Sequence, residues 1–351
     1  MNPFCRLKDP STYVASPWDF SQDAAARIHF IAFFRQQYLQ TVRLAVDQAV
    51  LDGEDRADAQ RRADDCQLRF FTFLDQLEQD PTQFGRVTIL TIDHIRDGLL
   101  REAGLADPYL HQKHQQNAHA LPFLASVCRD LDHLTGRDQL EAAIRGAMAG
   151  NIFDMGVAAT AQLMLSRNLD FIATRDSLPP RPWRVDGLDA LEHRVLAGRP
   201  HRKAIVFVDN AGSDFVLGMI PLCRYLAQRG TEILIAGNEL PTLNDMACCD
   251  IRALWPQLLS AEPSLASLPI RVVSTGTGEP LIDLLAVSDE LNAEAADADL
   301  VILEGMGRAL ESNFDAQFDC DALKLAMIKE DYVAGWVGGK LYDVVCRFDP
   351  A

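Results

Sequence analysis

The sequence lacks the features that mark disulfide frameworks, zinc sites and membrane spans. Its eight cysteines include no C-x-x-C pair, so we expect reduced, mostly buried thiols. No apolar run reaches the roughly 18 residues of a membrane-spanning helix. The first ten residues, MNPFCRLKDP, have no apolar signal-peptide core. We therefore predict a cytoplasmic protein that does not act on membranes.

Positive charge is also scarce. The chain has 33 Lys and Arg against 50 Asp and Glu, a formal net charge of −17. Such an acidic chain is not expected to bind nucleic acid, because phosphate backbones attract basic surfaces. An anionic ligand would need a bound metal or a local cluster of cations. With 351 residues, 48% of them hydrophobic, the chain can form a large core.

The first half has the periodicity of helices. Apolar residues recur there every three or four positions, and the expected helices are residues 21–51, 56–77, 83–103, 118–134 and 139–165. Prolines cluster between residues 176 and 200, which favours a junction. We divide the chain into a helical region, residues 1–195, that contributes to the active-site cleft, and an α/β domain, residues 196–351.

The second half alternates short β-branched runs with segments of helical length. The expected strands are residues 204–208, 232–236, 271–274, 299–303 and 341–348, and helices are expected at 212–230 and 321–336. This order predicts an α/β fold with a Rossmann-like, mostly parallel sheet flanked by helices, preceded by the all-helical region.

Polar residues follow the strands of this sheet. Asp209 and Asn210 end the first run, Asp245 lies in the loop after the second, and EGMGR, residues 304–308, follows the fourth. Ligands of open α/β sheets lie outside the carboxyl ends of the strands. The oxygens of Asp209, Asn210 and Asp245 suit magnesium or manganese. The alternative for each residue is a helix cap or a turn.

Two cations downstream would suit phosphoryl chemistry. Arg308 and Lys329 would supply fixed positive charge to a transferring phosphoryl group, and the nucleophile would be a bound water or Asp209 itself. The alternatives are a structural ion pair between Glu304 and Arg308, and a pair of surface lysines, Lys324 and Lys329, on the helix expected at 321–336.

The helical half contains one polar interruption. AGNIFD, residues 149–154, brings a glycine, Asn151 and Asp154 into an apolar stretch. Its alternatives are a functional element and a helix break with an N-cap.

Three segments carry a family resemblance. FVDNAGSDF and its continuation to LNDM, then DLVILEGMGRALESNF, then CDALKLAMIKEDYVAGWVGGKLYDVVCRF resemble the metal-dependent damage-control phosphatases, and closely the subfamily marked by EGMGR. The similarity continues upstream through AGNIFDMG and RPWRVD and covers most of the chain from about residue 99 onward.

The resemblance implies roles for individual residues. Asp209, Asn210 and Asp245 match the metal-ligand positions of the family, and together with Lys329 they are the predicted catalytic residues. Lys329 matches a phosphate-contacting lysine, although the Arg and Thr that accompany it in related subfamilies are absent here. The implied substrate-binding residues are Asn151, Asp154, Glu304, Gly305, Arg308 and Lys329.

The same resemblance implies an activity. It indicates a phosphatase that uses a divalent metal, Mn²⁺, Ni²⁺ or Co²⁺ with Mg²⁺ as an alternative, to hydrolyse phosphate monoesters of small metabolites. The implied substrate is 4′-phosphopantetheine or its oxidised or damaged forms.

The alternative is a non-catalytic regulatory protein that binds a nucleotide or sugar phosphate at the glycine-containing loop 275–278. A nicotinamide dehydrogenase is disfavoured because no G-x-G-x-x-G follows a strand, and a methyltransferase has no recognisable cofactor fingerprint here.

Overall fold

A computed structural model describes residues 1–152 and 171–351. Side-chain caps explain where the first helices begin. Asp23 accepts from the Ala26 N–H, Asp55 from the Asp58 N–H, and Thr88 forms a capping box with Thr91. The helices of this half are α1 Ala24–Leu51, α2 Arg56–Gln79, α3 Ile89–Glu102, α4 Leu110–Ala120, α5 Leu124–Asp132, α6 Gly136–Ile152 and α7 Phe171–Ser177.

These bounds confirm the helical first half and refine it. The segment expected at 118–134 is broken by the turn Leu121–Phe123, which contains Pro122. Helix α6 covers the start of the segment expected at 139–165, and the part beyond Ile152 lies outside the described residues.

The second half forms a seven-stranded sheet among the described residues. Its strands are β1 Val185–Asp186, β2 Lys203–Phe207, β3 Glu232–Gly237, β4 Ile270–Ser274, β5 Leu300–Glu304, β6 Asp321–Met327 and β7 Val344–Asp349. Its helices are α8 Leu188–Glu192, α9 Ile220–Ala227, α10 Cys248–Ala261, α11 Asp289–Ala295 and α12 Asp331–Val337, and π-helical turns span His193–Ala197, Asp214–Met219 and Gly307–Ser312. The expected strands correspond to β2, β3, β4, β5 and β7, and the α/β fold with a mostly parallel sheet is confirmed.

The helix expected at 321–336 is wrong. Residues 321–327 form β6, which lies between β5 and β7 with every residue buried, and only Asp331–Val337 is helical. The surface-lysine interpretation is wrong for Lys324, which has no exposed surface. Its ammonium donates to the carbonyls of Phe314 at 2.8 Å and Ala316 at 2.7 Å. These acceptors allow a lysine inside a central strand.

The strand order creates a crevice between β2 and β5. The order is β1-β7-β6-β5-β2-β3-β4, with β2 to β6 parallel and β7 antiparallel to β6. From β2 the chain proceeds outward to β3 and β4, and β5 then pairs on the other side of β2 and leads to β6. Ligand sites of open α/β sheets form at such a switch point.

Helices of the first half share apolar cores with both faces of the sheet. One core combines Phe30 and Phe34 of α1 with Phe207 and Leu303. The other combines residues of α5 and α6 with Val206 and Ile302. The boundary near residue 195 stays a prediction. No helix within the described ranges has the length and apolarity needed to cross a membrane.

Candidate active site at the β2–β5 crevice

Three carboxylates converge at the crevice. Asp209 lies two residues beyond β2, Glu304 is the last residue of β5, and the Asp209 N–H donates to Glu304 Oε2 at 3.1 Å. Asp214 begins the π-helical turn that follows. One oxygen from each of the three acids lies within 4.8 Å of the others, and all three residues are buried. This concentration of negative charge needs donors or cations around it.

Two side-chain amides donate to the acids. Asn210 Nδ2 lies 2.8 Å from Asp209 Oδ2 and 3.0 Å from Asp214 Oδ2. Asn151, from the last turn of α6, donates to Asp214 Oδ2 at 3.0 Å and to Glu304 Oε1 at 3.2 Å. The end of α6 therefore brings Asn151 of the segment AGNIFD to the three acids, and the functional role of this segment stays a prediction. Asp154, predicted with Asn151, lies outside the described residues.

The packing around Gly150 explains why this helix comes so close. A Cβ on Gly150 would lie 2.8 Å from the Asp214 Cα and 3.0 Å from the Ser213 carbonyl oxygen. Only a residue without a side chain fits against this backbone. Gly150 thus lets α6 bring Asn151 to Asp214.

Arg308 is the buried cation of the site. Its Nη1 donates to Asp209 Oδ1, and its Nη2 donates to Asp245 Oδ2 at 2.8 Å and to Asn238 Oδ1 at 3.3 Å. Only 1% of the residue is exposed. Within the described residues the ion pairs of Arg308 are with Asp209 and Asp245, and the alternative of a structural pair with Glu304 does not form.

Backbone pairing brings Asp245 beside Asn210. The two residues form an isolated antiparallel bridge, in which the Ala211 N–H donates to the Asn244 carbonyl at 2.9 Å and the Met246 N–H to the Asp209 carbonyl at 2.9 Å. The predicted ligands Asp209, Asn210 and Asp245 therefore lie together, the first two just beyond β2 and Asp245 in the loop that follows β3. Their assignment as metal ligands stays a prediction.

Helix α4 holds the loop after Asn210. Asn117 Oδ1 accepts from the Gly212 N–H at 2.7 Å. Gly212 has φ +77°, and a Cβ there would lie 2.8 Å from the Gln116 Cβ. Glycine is therefore required both by the left-handed backbone and by the close approach of α4.

Lys329 lies at the edge of the same site, in the loop between β6 and α12. Its Nζ donates to the Asn151 carbonyl at 3.1 Å, and the side chain is half-buried. Lys324 lies in β6, and its ammonium donates to the carbonyls of Phe314 and Ala316. The structure therefore separates the two lysines and brings only Lys329 to the acids.

Burial shifts the protonation of the acids. Burial, and then the neighbouring Asp209 carboxylate, raises the pKa of Asp214 to about 7. Burial, and then the charges of Asp214 and Asp209, raises the pKa of Glu304 well above its ordinary value. The causes are desolvation and like charges, both of which a bound cation would counteract.

The donor set fits a divalent metal. Asn151 Oδ1 and Asp214 Oδ1 are buried and, within the described residues, have no hydrogen-bond partner. Buried polar atoms are normally satisfied, so these two oxygens mark places for a further ligand. Together with the carboxylates of Asp209 and Glu304, these two oxygens form a set of hard oxygen donors. Such a set suits Mg²⁺ or Mn²⁺.

Sequence reasoning missed two features of the site. Asp214 belongs to the segment FVDNAGSDF, but an acid at the start of a helix is ordinarily a cap, and only the three-dimensional contacts with Asn151 and Asn210 reveal its position. Gly305 was expected to let the backbone approach substrate. It has φ +98°, and a Cβ there would overlap the Asp209 carboxylate. The glycine makes room for Asp209, and its contact with substrate stays a prediction.

A mostly parallel α/β sheet with buried carboxylates and an arginine at its switch point defines an α/β protein with a candidate metal centre. The chain belongs to the damage-control phosphatase ARMT1-like domain family, whose sequence model matches residues 34–345. The family resemblance of the sequence is thereby confirmed.

Named relatives agree with this family. The chain is 37% identical over 297 residues to damage-control phosphatase At2g17340 of Arabidopsis thaliana, covering 83% of this chain and 81% of that protein. It is 29% identical over 397 residues to the 4′-phosphopantetheine phosphatase of Mus musculus, covering 98% of this chain and 48% of that protein. It spans 42% and 37% of two plant proteins named pantothenate kinase 2, so it spans about half the length, or less, of these longer relatives.

The fold has a solved counterpart. The crystal structure of the DUF89 family protein PH1575 from Pyrococcus horikoshii superposes with a TM-score of 0.64 at 19% identity, covering 90% of this chain and 96% of that one. At this identity the similarity establishes the fold.

Proposed function

We propose that this chain is a divalent-metal-dependent phosphatase that hydrolyses phosphate monoesters of small metabolites, with 4′-phosphopantetheine or its oxidised forms as substrate. The observation that carries the proposal is the cluster of three buried carboxylates beside Arg308 and Lys329. Family membership and the names of the Arabidopsis and mouse relatives support the reaction and the substrate.

Asp209, Asn210 and Asp245 would hold the metal, with Asp214 and Glu304 beside them. A divalent cation in this set would polarise a phosphoryl oxygen and lower the pKa of a bound water. We propose Mn²⁺, Ni²⁺ or Co²⁺, with Mg²⁺ as the alternative.

The cations of the chain would act on the substrate phosphate. Arg308, whose guanidinium holds Asp209 and Asp245, would keep fixed positive charge beside the phosphoryl group, and Lys329 would provide a point charge at the edge of the site. Both oxygens of Asp209 already accept hydrogen bonds, from Arg308 and from Asn210. Each carboxylate oxygen has a second lone pair, so the nucleophile would be a metal-bound water or Asp209 itself.

The test is a phosphatase assay with each metal in turn. Substrates are 4′-phosphopantetheine, its sulfonate and p-nitrophenyl phosphate, and the control is the same protein with excess chelator. We expect metal-dependent phosphate release that Asp209→Ala abolishes. Tight substrate binding with no phosphate release under any metal would overturn the proposal and favour the regulatory binding protein.

A further inference from the structure

The turn that carries Asp245 has a strained backbone. Residues 242–245 form the turn in the loop between β3 and α10, and the Asp245 N–H donates to the Thr242 carbonyl at 3.1 Å. Leu243 within it has φ +42°. A leucine rarely adopts the left-handed region, because its Cβ then crowds the backbone. Such a conformation persists only where the surroundings hold it.

The hydroxyl of Thr242 is held from the helical half of the chain. Thr242 Oγ1 donates to Asp97 Oδ2 at 2.6 Å and accepts from Arg96 Nη2 at 3.1 Å. Arg96 and Asp97 are neighbours on α3 and are joined by two hydrogen bonds, Nε to Oδ1 at 2.7 Å and Nη2 to Oδ2 at 2.9 Å. All three residues are at least 95% buried. Here one atom both donates and accepts, which a hydroxyl oxygen can do and a methyl group cannot.

Arg96 is itself fixed by two further contacts. Its Nη1 lies 2.6 Å from Asp93 Oδ1 and donates to Gln37 Oε1 of α1 at 3.0 Å. The guanidinium therefore has little freedom to turn away from Thr242. A buried ionic network of this kind contributes little net stability, and its best-attested value is to fix one arrangement.

From these contacts we infer that Arg96, Asp97 and Thr242 form a positioning unit that fixes the turn 242–245 and so the Asp245 carboxylate. The unit acts through Asp245 and does not touch the substrate. This inference rests on the proposed function, because it takes Asp245 to be a metal ligand. Its consequence is that a residue pair on α3 controls the metal affinity of a site built on the sheet.

The first test measures the turn itself, without added metal. Thr242→Val keeps a branched side chain and removes the hydroxyl. We expect faster hydrogen exchange in peptides that contain residues 243–246, and recovery of slow exchange in Thr242→Ser. The matched control is Thr41→Val, because Thr41 is equally buried and its hydroxyl bonds the Gln37 carbonyl at 3.2 Å. Thr41→Val should leave exchange at the turn unchanged.

The second test measures Mn²⁺ binding by calorimetry on the same four proteins. Loss of a partner that orients a ligand typically lowers metal affinity on the order of 10- to 100-fold, and we expect this loss for Thr242→Val. Thr242→Ser and Thr41→Val should bind Mn²⁺ like the wild type.

The outcomes separate the two proposals. Equal Mn²⁺ affinity of Thr242→Val and wild type, or unchanged exchange at the turn, would overturn the positioning unit and leave the proposed function standing. A wild type that binds no Mn²⁺, Ni²⁺, Co²⁺ or Mg²⁺ would overturn the proposed function and the metal-positioning role together. A weaker affinity in Thr242→Ser equal to that of Thr242→Val would also contradict the role of the hydroxyl.

Discussion

Among single residues, Asp209 makes the closest contacts of the site. Its carboxylate accepts from Arg308 and Asn210, and its own N–H donates to Glu304. The space for this carboxylate exists because Gly305 has no side chain. The positions of Asp209 and Gly305 are therefore coupled, although they are far apart in the sequence.

Gly305→Ala should displace the Asp209 carboxylate. The added methyl group would overlap it and would also sit on a left-handed backbone. We expect loss of divalent metal binding and of phosphatase turnover, measured by calorimetry and phosphate release. Gly53→Ala is the control, because Gly53 has a similar φ of +93° with no atom within 4 Å of an added Cβ.

The comparison separates the two effects of the methyl group. Both variants bear the cost of the left-handed conformation, about 1–2 kcal/mol in unfolding free energy. Only Gly305→Ala should lose metal. Equal metal binding in the two variants would show that Asp209 can move without consequence.

Among the elements, β6 shows what the sequence could and could not predict. The other parallel strands β2, β3, β4 and β5 are short, β-branched and apolar, and all four were predicted. In β6 the run DALKLAM has a lysine in the middle, and it was assigned to a helix over residues 321–336. The carbonyls of Phe314 and Ala316 that accept from Lys324 come from the preceding loop, and no local pattern reveals them.

The same limit applied to the site. The convergence of Asp209, Asn210 and Asp245 could be predicted because each follows a recognisable strand along the chain, whereas their role as metal ligands stays a prediction. Asp214 could not, because its role depends on Asn151 from α6. Contacts between elements that are distant in the sequence determine whether such a residue belongs to the site. A single sequence carries no direct signal of these contacts.

Lys324→Met and Lys329→Ala should affect different properties. Loss of the Lys324 ammonium leaves the buried Ala316 carbonyl without its donor, whereas the Phe314 carbonyl still accepts from Arg347, so we expect a lower unfolding free energy by about 1–3 kcal/mol in urea denaturation, with kcat unchanged. Lys329→Ala should lower kcat on the order of 10², as other electrostatic stabilisers do. A reduced kcat in Lys324→Met with an intact fold would contradict this division.

For the whole molecule, buried carboxyls make stability depend on pH. Burial, and then the charges of Asp93, Glu330 and Asp209, raises the pKa of Glu311 to about 8, against an opposing effect of Lys329. Between about pH 4.5 and 8 the folded chain therefore holds a proton that the unfolded chain has released. Since the folded state binds more protons than the unfolded state, the contribution of Glu311 to the unfolding free energy falls as pH rises through this window.

Glu311→Gln should remove that contribution. We expect the unfolding free energy of this variant to fall less steeply between pH 5.5 and 7.5, by up to about 1.4 kcal/mol per pH unit. Urea denaturation without added metal measures the slopes. Glu290→Gln, on the exposed face of α11, is the control and should keep the wild-type slope. Parallel curves for wild type and Glu311→Gln would contradict the prediction.

A divalent cation should stabilise the whole chain. A ligand that binds only the folded state raises its stability by about 2.7 kcal/mol at a concentration of 100 times Kd. We expect Mn²⁺ to raise the melting temperature of the wild type, and Asp209→Ala to abolish the increase. An equal increase in both proteins would locate the bound cation elsewhere.

The two apolar cores also have a consequence for biosynthesis. Phe30 and Phe34 leave the ribosome early, but they share a core with Val301 and Leu303 near the other end of the sequence. At about 5–20 residues per second, their faces stay uncovered for tens of seconds. Nascent chains halted at residue 200 should therefore be degraded quickly by added protease and bind chaperones, whereas released full-length protein should resist. Equal resistance would mean that the first half folds before its partners are translated.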